Sequence, residues 1–122
     1  MSGLNYLADT NTFIFLFDKH PALKNLLESE WHFSFITEIE LLGKPGISIP
    51  EIKNIQSLLN TCVKVAHVEE INKLTISIKQ KYKIKLPDAI IAATAIYYKL
   101  PLLTFDKGFM QIKSLDLILL EL

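Results

Sequence analysis

Residues 86–95 of the chain read LPDAIIAATA, and residues 101–104 read PLLT. Proline is favoured in the first turn of an α-helix, so Pro87 predicts that a helix begins here. The alanines of that helix allow close packing against a sheet, and the short apolar run after it is typical of a buried strand. The two stretches therefore predict one helix–strand unit of an α/β fold.

The same alternation extends over the whole sequence. Strands are predicted at residues 4–8, 31–36, 62–66, 101–104 and 115–120. Helices are predicted at residues 13–17 and 21–27, from 37 to the turn at 44–46, and at 50–59, 71–82 and 87–95. Strands that alternate with helices imply a parallel sheet covered on both faces. With no linker or repeat, we predict a single α/β domain over residues 1–122.

Composition limits the classes of function. Half of the 122 residues are apolar and 21% are charged, which excludes an intrinsically disordered chain. The 13 acidic and 13 basic residues balance, so the basic excess typical of non-specific nucleic-acid binding is absent. All 13 basic residues are Lys, so contacts to phosphate must come from ammonium, hydroxyl or amide groups or from a metal, not from guanidinium.

Location is also predicted from composition. A lone Cys62 excludes a disulfide framework within the chain and indicates a reducing compartment. Residues 1–8 lack the basic start of a secretory signal, and the longest charge-free stretches are too short to span a bilayer. We therefore expect a cytoplasmic protein that does not enter the membrane.

Four acidic residues lie near the ends of predicted strands. Asp9 closes the first strand, Glu40 lies in the helix after the second, Asp88 begins a helix, and Asp106 follows the strand at 102–104. Sites in open α/β sheets form at the carboxyl ends of strands, so these carboxylates are expected to converge. Converging carboxylates repel each other unless a cation neutralises them, and oxygen ligands favour Mg²⁺ or Mn²⁺. Such ions activate water and stabilise charge on a phosphoryl group.

Each acid by itself also has an ordinary structural explanation. Asp9 could cap the helix that follows it, and Glu40 stands at capping-box spacing from Thr37. Asp88 could complement the helix macrodipole, and Asp106 could be a turn residue. It is their joint placement that favours a functional site.

Four segments of the chain carry a more specific pattern. They read YLADTNTFI at 6–14, SFITEIELL at 34–42, LPDAIIAATA at 86–95 and LPLLTFDKGF at 100–109. In this order they resemble the PIN-domain nucleases, and most closely the VapC-type toxins of bacterial toxin–antitoxin pairs. The resemblance implies a three-layer α/β/α fold and a metal-dependent endoribonuclease that uses Mg²⁺ or Mn²⁺.

The resemblance also implies roles for individual residues. Asp9 and Asp88 match the first and third acids of the family, which are the principal metal ligands. Glu40 matches the second acid, ahead of Glu38, because it directly precedes the Leu-Leu pair. Asp106 matches the fourth, which in the family often acts through water or is replaced. Polar positions beside the site are matched by Asn11 and Thr104 and more faintly by Thr10 and Ser34.

The implied reaction is hydrolysis of an RNA phosphodiester. The metal polarises the scissile phosphate and activates a water, which attacks phosphorus in line and expels the 3′ oxygen, leaving a 5′-phosphate end. The family resemblance further implies a homodimer and a cognate antitoxin. The antitoxin is expected in a groove near the acids, against the helices around residues 21–27 and 52–59.

This interpretation has three alternatives. A receiver-type phospho-acceptor domain would need an acid beside Asp9 and an acceptor Asp in residues 63–67, and the chain has neither. A haloacid-dehalogenase-like phosphatase would need a second Asp where Asn11 stands. A non-catalytic PIN scaffold would keep the fold without hydrolysis, and metal-induced stabilisation distinguishes it from a nuclease.

The zero net charge is compatible with an RNA substrate. If the four acids bind metal, nine acidic residues remain against 13 Lys. The surface around a negative pocket is then mildly basic. Because phosphate recognition would rest on metal and Lys, RNA binding is expected to weaken strongly with salt.

Overall fold

The computed structural model describes residues 4–122, which are built around a five-stranded sheet. Its strands are β1 (Asn5–Ala8), β2 (Glu30–Phe33), β3 (Val63–Lys64), β4 (Leu102–Thr104) and β5 (Leu117–Leu119). They lie in the order β3-β2-β1-β4-β5, and every neighbouring pair is parallel. The predicted domain of residues 1–122 and the segment 1–8, which lacks the basic start of a secretory signal, both include residues 1–3. Those three residues lie outside the part of the chain that the structure describes.

Helices connect the strands, because parallel strands need crossover connections. They are α1 (Thr10–Phe17), α2 (Phe35–Leu42), α3 (Ile49–Asn60), α4 (Glu69–Lys81) and α5 (Leu86–Tyr98). Two 3₁₀ helices span Pro21–Leu26 and Lys107–Gln111. The predicted α/β architecture, with a parallel sheet between helical layers, is confirmed. Over the described part of the chain, none of the helices is long and apolar enough to cross a membrane.

Alternate residues of the central strand supply two separate cores. In β1, Leu7 packs into a cluster with residues of α4 and α5, including Ile71 and Ile91. Its neighbours Tyr6 and Ala8 face the other way, into a cluster with residues of α1 and α3 such as Phe13 and Leu59. This alternation is the period of an extended strand, and it explains why β1 is apolar on both faces.

The second strand is shorter than predicted. The expectation of a strand at residues 31–36 is wrong at its end, because β2 stops at Phe33 and α2 begins at Phe35. Ser34 stands between them with an extended backbone, and its hydroxyl accepts a hydrogen bond from the Ile36 amide at 3.3 Å. A serine cap thus outweighs the β propensity of the apolar residues that follow it. The alternative explanation of Glu40 as part of a capping box with Thr37 is excluded as well, because Ser34 is the cap and Thr37 lies inside α2.

Other boundaries also differ from expectation. The helix predicted at 21–27 is a 3₁₀ helix, Pro21–Leu26. The strands predicted at 62–66 and 115–120 shrink to β3 and β5, with two and three residues. Both are the outermost strands of the sheet, where pairing on one side only shortens the hydrogen-bonded part.

Strand order reverses between β1 and β4. From β1 the chain moves outward to β2 and β3, and then returns to place β4 on the other side of β1. Such a switch point opens a crevice at the carboxyl ends of the two strands, because their connections leave in opposite directions. Asp9 directly follows β1, and Asp106 follows β4 closely.

Candidate active site

Four acidic side chains line one open pocket at this switch point. Asp9, Glu40, Asp88 and Asp106 share it with Thr10, Asn11, Lys85 and Pro87, and we call these eight residues the acid pocket. Its volume is about 230 Å³. The structure thus brings together four carboxylates that are far apart in the sequence.

Asp9 is the most buried and the most constrained of the four. Its side chain is inside the protein, with 4% of the residue exposed. Oδ1 accepts hydrogen bonds from the Thr12 amide at 3.0 Å and from the Thr12 hydroxyl, so Asp9 caps α1 as expected. Oδ2 accepts a hydrogen bond from the Thr104 hydroxyl at 2.6 Å. Burial raises the pKa of Asp9 above its ordinary value despite these bonds, and the charge of Asp106 adds to the rise.

Asp88 lies half-buried in the first turn of α5, just after Pro87. Burial is the largest cause of its raised pKa, and the charges of Asp106, Asp9 and Glu40 raise it further. The positive charge of Lys85 acts in the opposite direction. Three carboxylates therefore act electrostatically on Asp88, as expected where like charges share one pocket.

Glu40 reaches the pocket through a contact between two helices. The hydroxyl of Thr10, at the start of α1, donates a hydrogen bond to Glu40 Oε1 at 2.6 Å and lies 3.2 Å from the Thr37 hydroxyl. Glu38 instead forms an ion pair with Lys64 at 2.9 Å. Of the two glutamates in α2, it is Glu40 that faces the other acids.

Thr104 makes hydrogen bonds to both Asp9 and Asp106. Besides donating to Asp9, its hydroxyl accepts a hydrogen bond from the Asp106 amide at 3.0 Å. Asp106 Oδ1 accepts from the Gly108 amide at 2.8 Å, so Asp106 caps the second 3₁₀ helix. The buried hydroxyl of Thr104 thereby fixes the spacing between the ends of β1 and β4.

The remaining two predicted positions have different surroundings. Asn11 is exposed on α1 and lines the acid pocket. Ser34 is buried, caps α2 and is not among the residues that line the pocket. The structure therefore places Asn11 with the acids and Ser34 with the helix that carries Glu40.

Comparison with known proteins agrees with this geometry. The family model described as the PIN domain matches residues 6–115. The chain belongs to the PIN-domain family. No curated protein matches the sequence at a significant level. Family membership removes the receiver-type and haloacid-dehalogenase-like alternatives, since both are different folds.

Solved structures show the same fold in proteins of similar length. A chain of a toxin–antitoxin complex from Klebsiella pneumoniae is 31% identical, with a TM-score of 0.77 over 93% of this chain and 95% of that one. A chain of VapBC-1 from nontypeable Haemophilus influenzae is 24% identical, with a TM-score of 0.81 over 95% and 98%. A chain of VapBC2 from Rickettsia felis, bound to a promoter DNA fragment, is 21% identical, with a TM-score of 0.81 over 97% and 100%. The expected resemblance to VapC-type PIN domains is confirmed.

The donor set of this PIN domain fits a divalent cation. Within residues 4–122, no three His, Cys, Asp or Glu side chains are already placed so that together they could coordinate a metal ion. The four carboxylates of the pocket nevertheless offer oxygen donors, and burial together with mutual repulsion raises the pKa of both Asp9 and Asp88. A hard cation would relieve that repulsion, and carboxylate oxygens are its preferred ligands.

Two residues of the site were missed in the sequence. Thr12 holds Asp9 through both its amide and its hydroxyl, and Lys85 lines the acid pocket. Thr12 stands three residues after Asp9, the spacing at which a helix cap is bonded, so the signal was present. Lys85 stands three residues before Asp88, but only the described helix boundary shows that both lie at the same end of α5.

Proposed function

We propose that this PIN domain is an endoribonuclease that depends on Mg²⁺ or Mn²⁺ and acts as the toxin of a toxin–antitoxin pair. The observation that carries the proposal is the acid pocket at the β1/β4 switch point, where burial and repulsion raise the pKa of Asp9 and Asp88. A protein retains such repulsion where function requires it, because charged groups without partners destabilise the fold.

The four acidic residues of the pocket have different roles in the proposed reaction. A bound Mg²⁺ or Mn²⁺ would supply positive charge to the phosphate and favour ionisation of water. Asp9 and Asp88 would hold the cation, and the bonds from Thr12 and Thr104 fix the orientation of the Asp9 carboxylate. Glu40 and Asp106 would orient the attacking water or a second cation.

Polar residues at the pocket complete the proposed site. Asn11 and Thr10 offer amide and hydroxyl groups to the phosphate or to the carboxylates, and Thr10 already bonds Glu40. In-line attack on phosphorus would expel the 3′ oxygen and leave a 5′-phosphate end. No Cys or His is among the residues that line the pocket, and the proposed reaction uses neither.

An apolar groove beside the acid pocket supports the antitoxin part of the proposal. It lies between α1, α2 and α3, has a volume of about 630 Å³ and is lined by Ile14, Phe17, Asp18, Glu40, Leu41, Lys44, Glu51, Asn54 and Ile55. We name these nine residues the apolar groove. The helix expected around 52–59 contributes Ile55, whereas the 21–27 segment is not among the lining residues and its Leu23 is buried in the core.

The groove and the acid pocket share Glu40. An apolar antitoxin segment seated in the groove would therefore lie against the acids and hinder the access of RNA. The similar structures from Klebsiella, Haemophilus and Rickettsia are described as toxin–antitoxin or VapBC complexes, which agrees with a protein occupant. We also propose that the protein is a homodimer and is located in the cytoplasm. The mass of the purified protein in solution tests whether it is a dimer.

The deciding experiment is cleavage of total bacterial RNA, which presents transfer, ribosomal and messenger RNA together. Wild type is expected to cleave with Mg²⁺ or Mn²⁺ and to stop in EDTA. Asp9→Asn and Asp88→Asn are expected to lose about 10³-fold or more, as removal of a central charged group does. The matched control is Asp116→Asn, because Asp116 is exposed and precedes β5, at the opposite end of the parallel sheet.

Undiminished cleavage by both variants would rule out the proposed site. Relief of growth arrest on expression by the same two variants, but not by Asp116→Asn, tests the toxin role separately. A folded wild type that neither cleaves RNA nor gains thermal stability with millimolar metal would establish the non-catalytic scaffold instead.

A further inference from the structure

Lys85 stands in the wall of the acid pocket and is the cationic residue among those that line it. It also lines a neighbouring cavity of about 200 Å³, which shares Asp88 and Asp106 with the acid pocket. Lys83 and Gln111 line that second cavity but not the acid pocket. Lys85 thus stands where the two cavities meet.

The backbone just before Lys85 is held by two side-chain hydrogen bonds. The side-chain amide of Gln111 donates hydrogen bonds to the Lys83 carbonyl at 3.3 Å and to the Gly108 carbonyl at 2.9 Å. The Lys79 ammonium donates to the Ile84 carbonyl at 2.8 Å. The Gln111 bond links the turn between α4 and α5 to the 3₁₀ helix after β4, which Asp106 caps, and the Lys79 bond links that turn to α4. The backbone next to Lys85 is therefore tied to the segment that carries Asp106.

The ammonium group of Lys85 is available to a ligand. Within residues 4–122, the lysines in ion pairs with carboxylates are Lys44, with Glu51, and Lys64, with Glu38. Lys85 is in neither pair, although it lines a pocket with four carboxylates. Its side chain is exposed, so it can turn toward an incoming anion without breaking a bond.

We propose that Lys85 is a substrate-binding residue that contacts a phosphate oxygen of RNA at the acid pocket, with Lys83 near the adjoining phosphate. The proposal rests on the nuclease function above and deepens it. Four carboxylates repel a polyanion, and a cation in the wall of the pocket offsets that repulsion where the strand must enter. Because the chain has no Arg, this contact belongs to a lysine.

The test compares Lys85→Gln with Lys85→Arg and with the control Lys73→Gln. Lys73 is exposed on α4, two helical turns before the end that leads to Lys85, so it is about 12 Å further along that helix. Lys85→Gln is expected to lower kcat/KM for RNA cleavage about 10- to 100-fold, mainly through KM, as loss of a charged hydrogen bond does. Lys85→Arg keeps the charge and most of the activity, and Lys73→Gln behaves like wild type.

A second arm measures RNA binding without cleavage. Binding of a fluorescent single-stranded RNA of mixed sequence is followed against KCl concentration, in EDTA and in the Asp9→Asn background. Loss of one phosphate contact should make the slope of log K against log [KCl] shallower by about 0.7 for Lys85→Gln. Lys73→Gln should leave that slope unchanged.

The two arms separate failure of this inference from failure of the proposed function. If wild type cleaves RNA and Lys85→Gln matches it in kcat/KM and in salt slope, Lys85 binds no phosphate. Equal losses in Lys85→Gln and Lys73→Gln would show a general charge effect and would also overturn the inference. Failure of wild type to cleave total RNA with either metal overturns the nuclease proposal, whatever the salt slopes are.

Discussion

The acid pocket and the apolar groove lie side by side and share Glu40, but they are built in opposite ways. In the pocket, hydroxyl and amide groups hold carboxylates together in about 230 Å³. In the groove, Ile14, Phe17 and Leu41 leave a larger, mainly apolar space of about 630 Å³. A bound cation would neutralise the excess negative charge of the pocket, whereas a bound protein would cover the exposed apolar surface of the groove. The difference indicates one region for chemistry and one for control.

The largest effect that tests this contrast is expected from Thr104→Val. The change removes the donor to Asp9 Oδ2 and the acceptor for the Asp106 amide while nearly keeping the side-chain shape. We expect cleavage to fall about 100-fold and the free energy of unfolding to fall by about 1–3 kcal/mol, since buried groups lose partners. Activity assays and urea unfolding measure the two changes.

The control for that variant is Thr75→Val. Thr75 is buried on α4, away from the acids, and its hydroxyl bonds only within its own helix, to the Ile71 carbonyl at 2.7 Å. It should leave cleavage unchanged. Equal cleavage by Thr104→Val and Thr75→Val would show that the Thr104 hydroxyl does not position the site.

A smaller effect is expected in the groove from Ile14→Gln. Ile14 is 43% exposed on α1, so the change should leave the fold intact, and Ile14 is not one of the eight residues of the acid pocket, so we expect RNA cleavage to persist. It removes apolar surface that an antitoxin would bury, which should weaken neutralisation by the cognate antitoxin about tenfold. Ile76→Gln on α4, also exposed, is the matched control. Loss of cleavage without loss of neutralisation would reverse the assignment of the two regions.

The smallest effect concerns stability and pH in the metal-free protein. A carboxyl whose pKa is raised by folding binds more protons in the folded state, so stability falls as pH rises from the ordinary value of 3.8 through the raised one. Asp88→Asn removes that loss and should raise the Tm above that of wild type at neutral pH. The difference should vanish in acid below pH 3.8.

Added metal should reverse the order of the two proteins. At a concentration ten times the Kd, a bound cation stabilises wild type by about 1.4 kcal/mol, and Asp88→Asn should gain little. Thermal melts in EDTA and in millimolar Mg²⁺ measure both differences. A wild type that is more stable than Asp88→Asn in EDTA at neutral pH would contradict the repulsion on which the metal proposal rests.

The sequence predicted the architecture well because its signals were local. Pro87 and the alanines after it marked α5, and the apolar run before Asp9 marked β1. Boundaries were predicted less well where a helix cap competed with β propensity. At Ser34, the helix cap ends a strand that β propensity alone predicts to continue. Such competition is decided by hydrogen bonds that a propensity pattern does not contain.

The sequence indicated the acids of the candidate site and the polar residues Thr10 and Thr104 beside them, but not the hydrogen bonds that these residues make. The order of the strands follows from tertiary packing, so the sequence could suggest that Asp9 and Asp106 meet but not that Thr104 would bridge them. Lys85 and the apolar groove depend on how distant helices pack against one another. These features require the assembled sheet.

The central claim is that the four carboxylates are gathered to hold a divalent cation. It is tested most directly by titrating Mn²⁺ into the metal-free protein and following free Mn²⁺ by electron paramagnetic resonance. Wild type and Asp116→Asn are predicted to bind Mn²⁺, and Asp9→Asn and Asp88→Asn to lose most of that binding. Equal binding by all four proteins, or none by wild type at millimolar Mn²⁺, would contradict the claim.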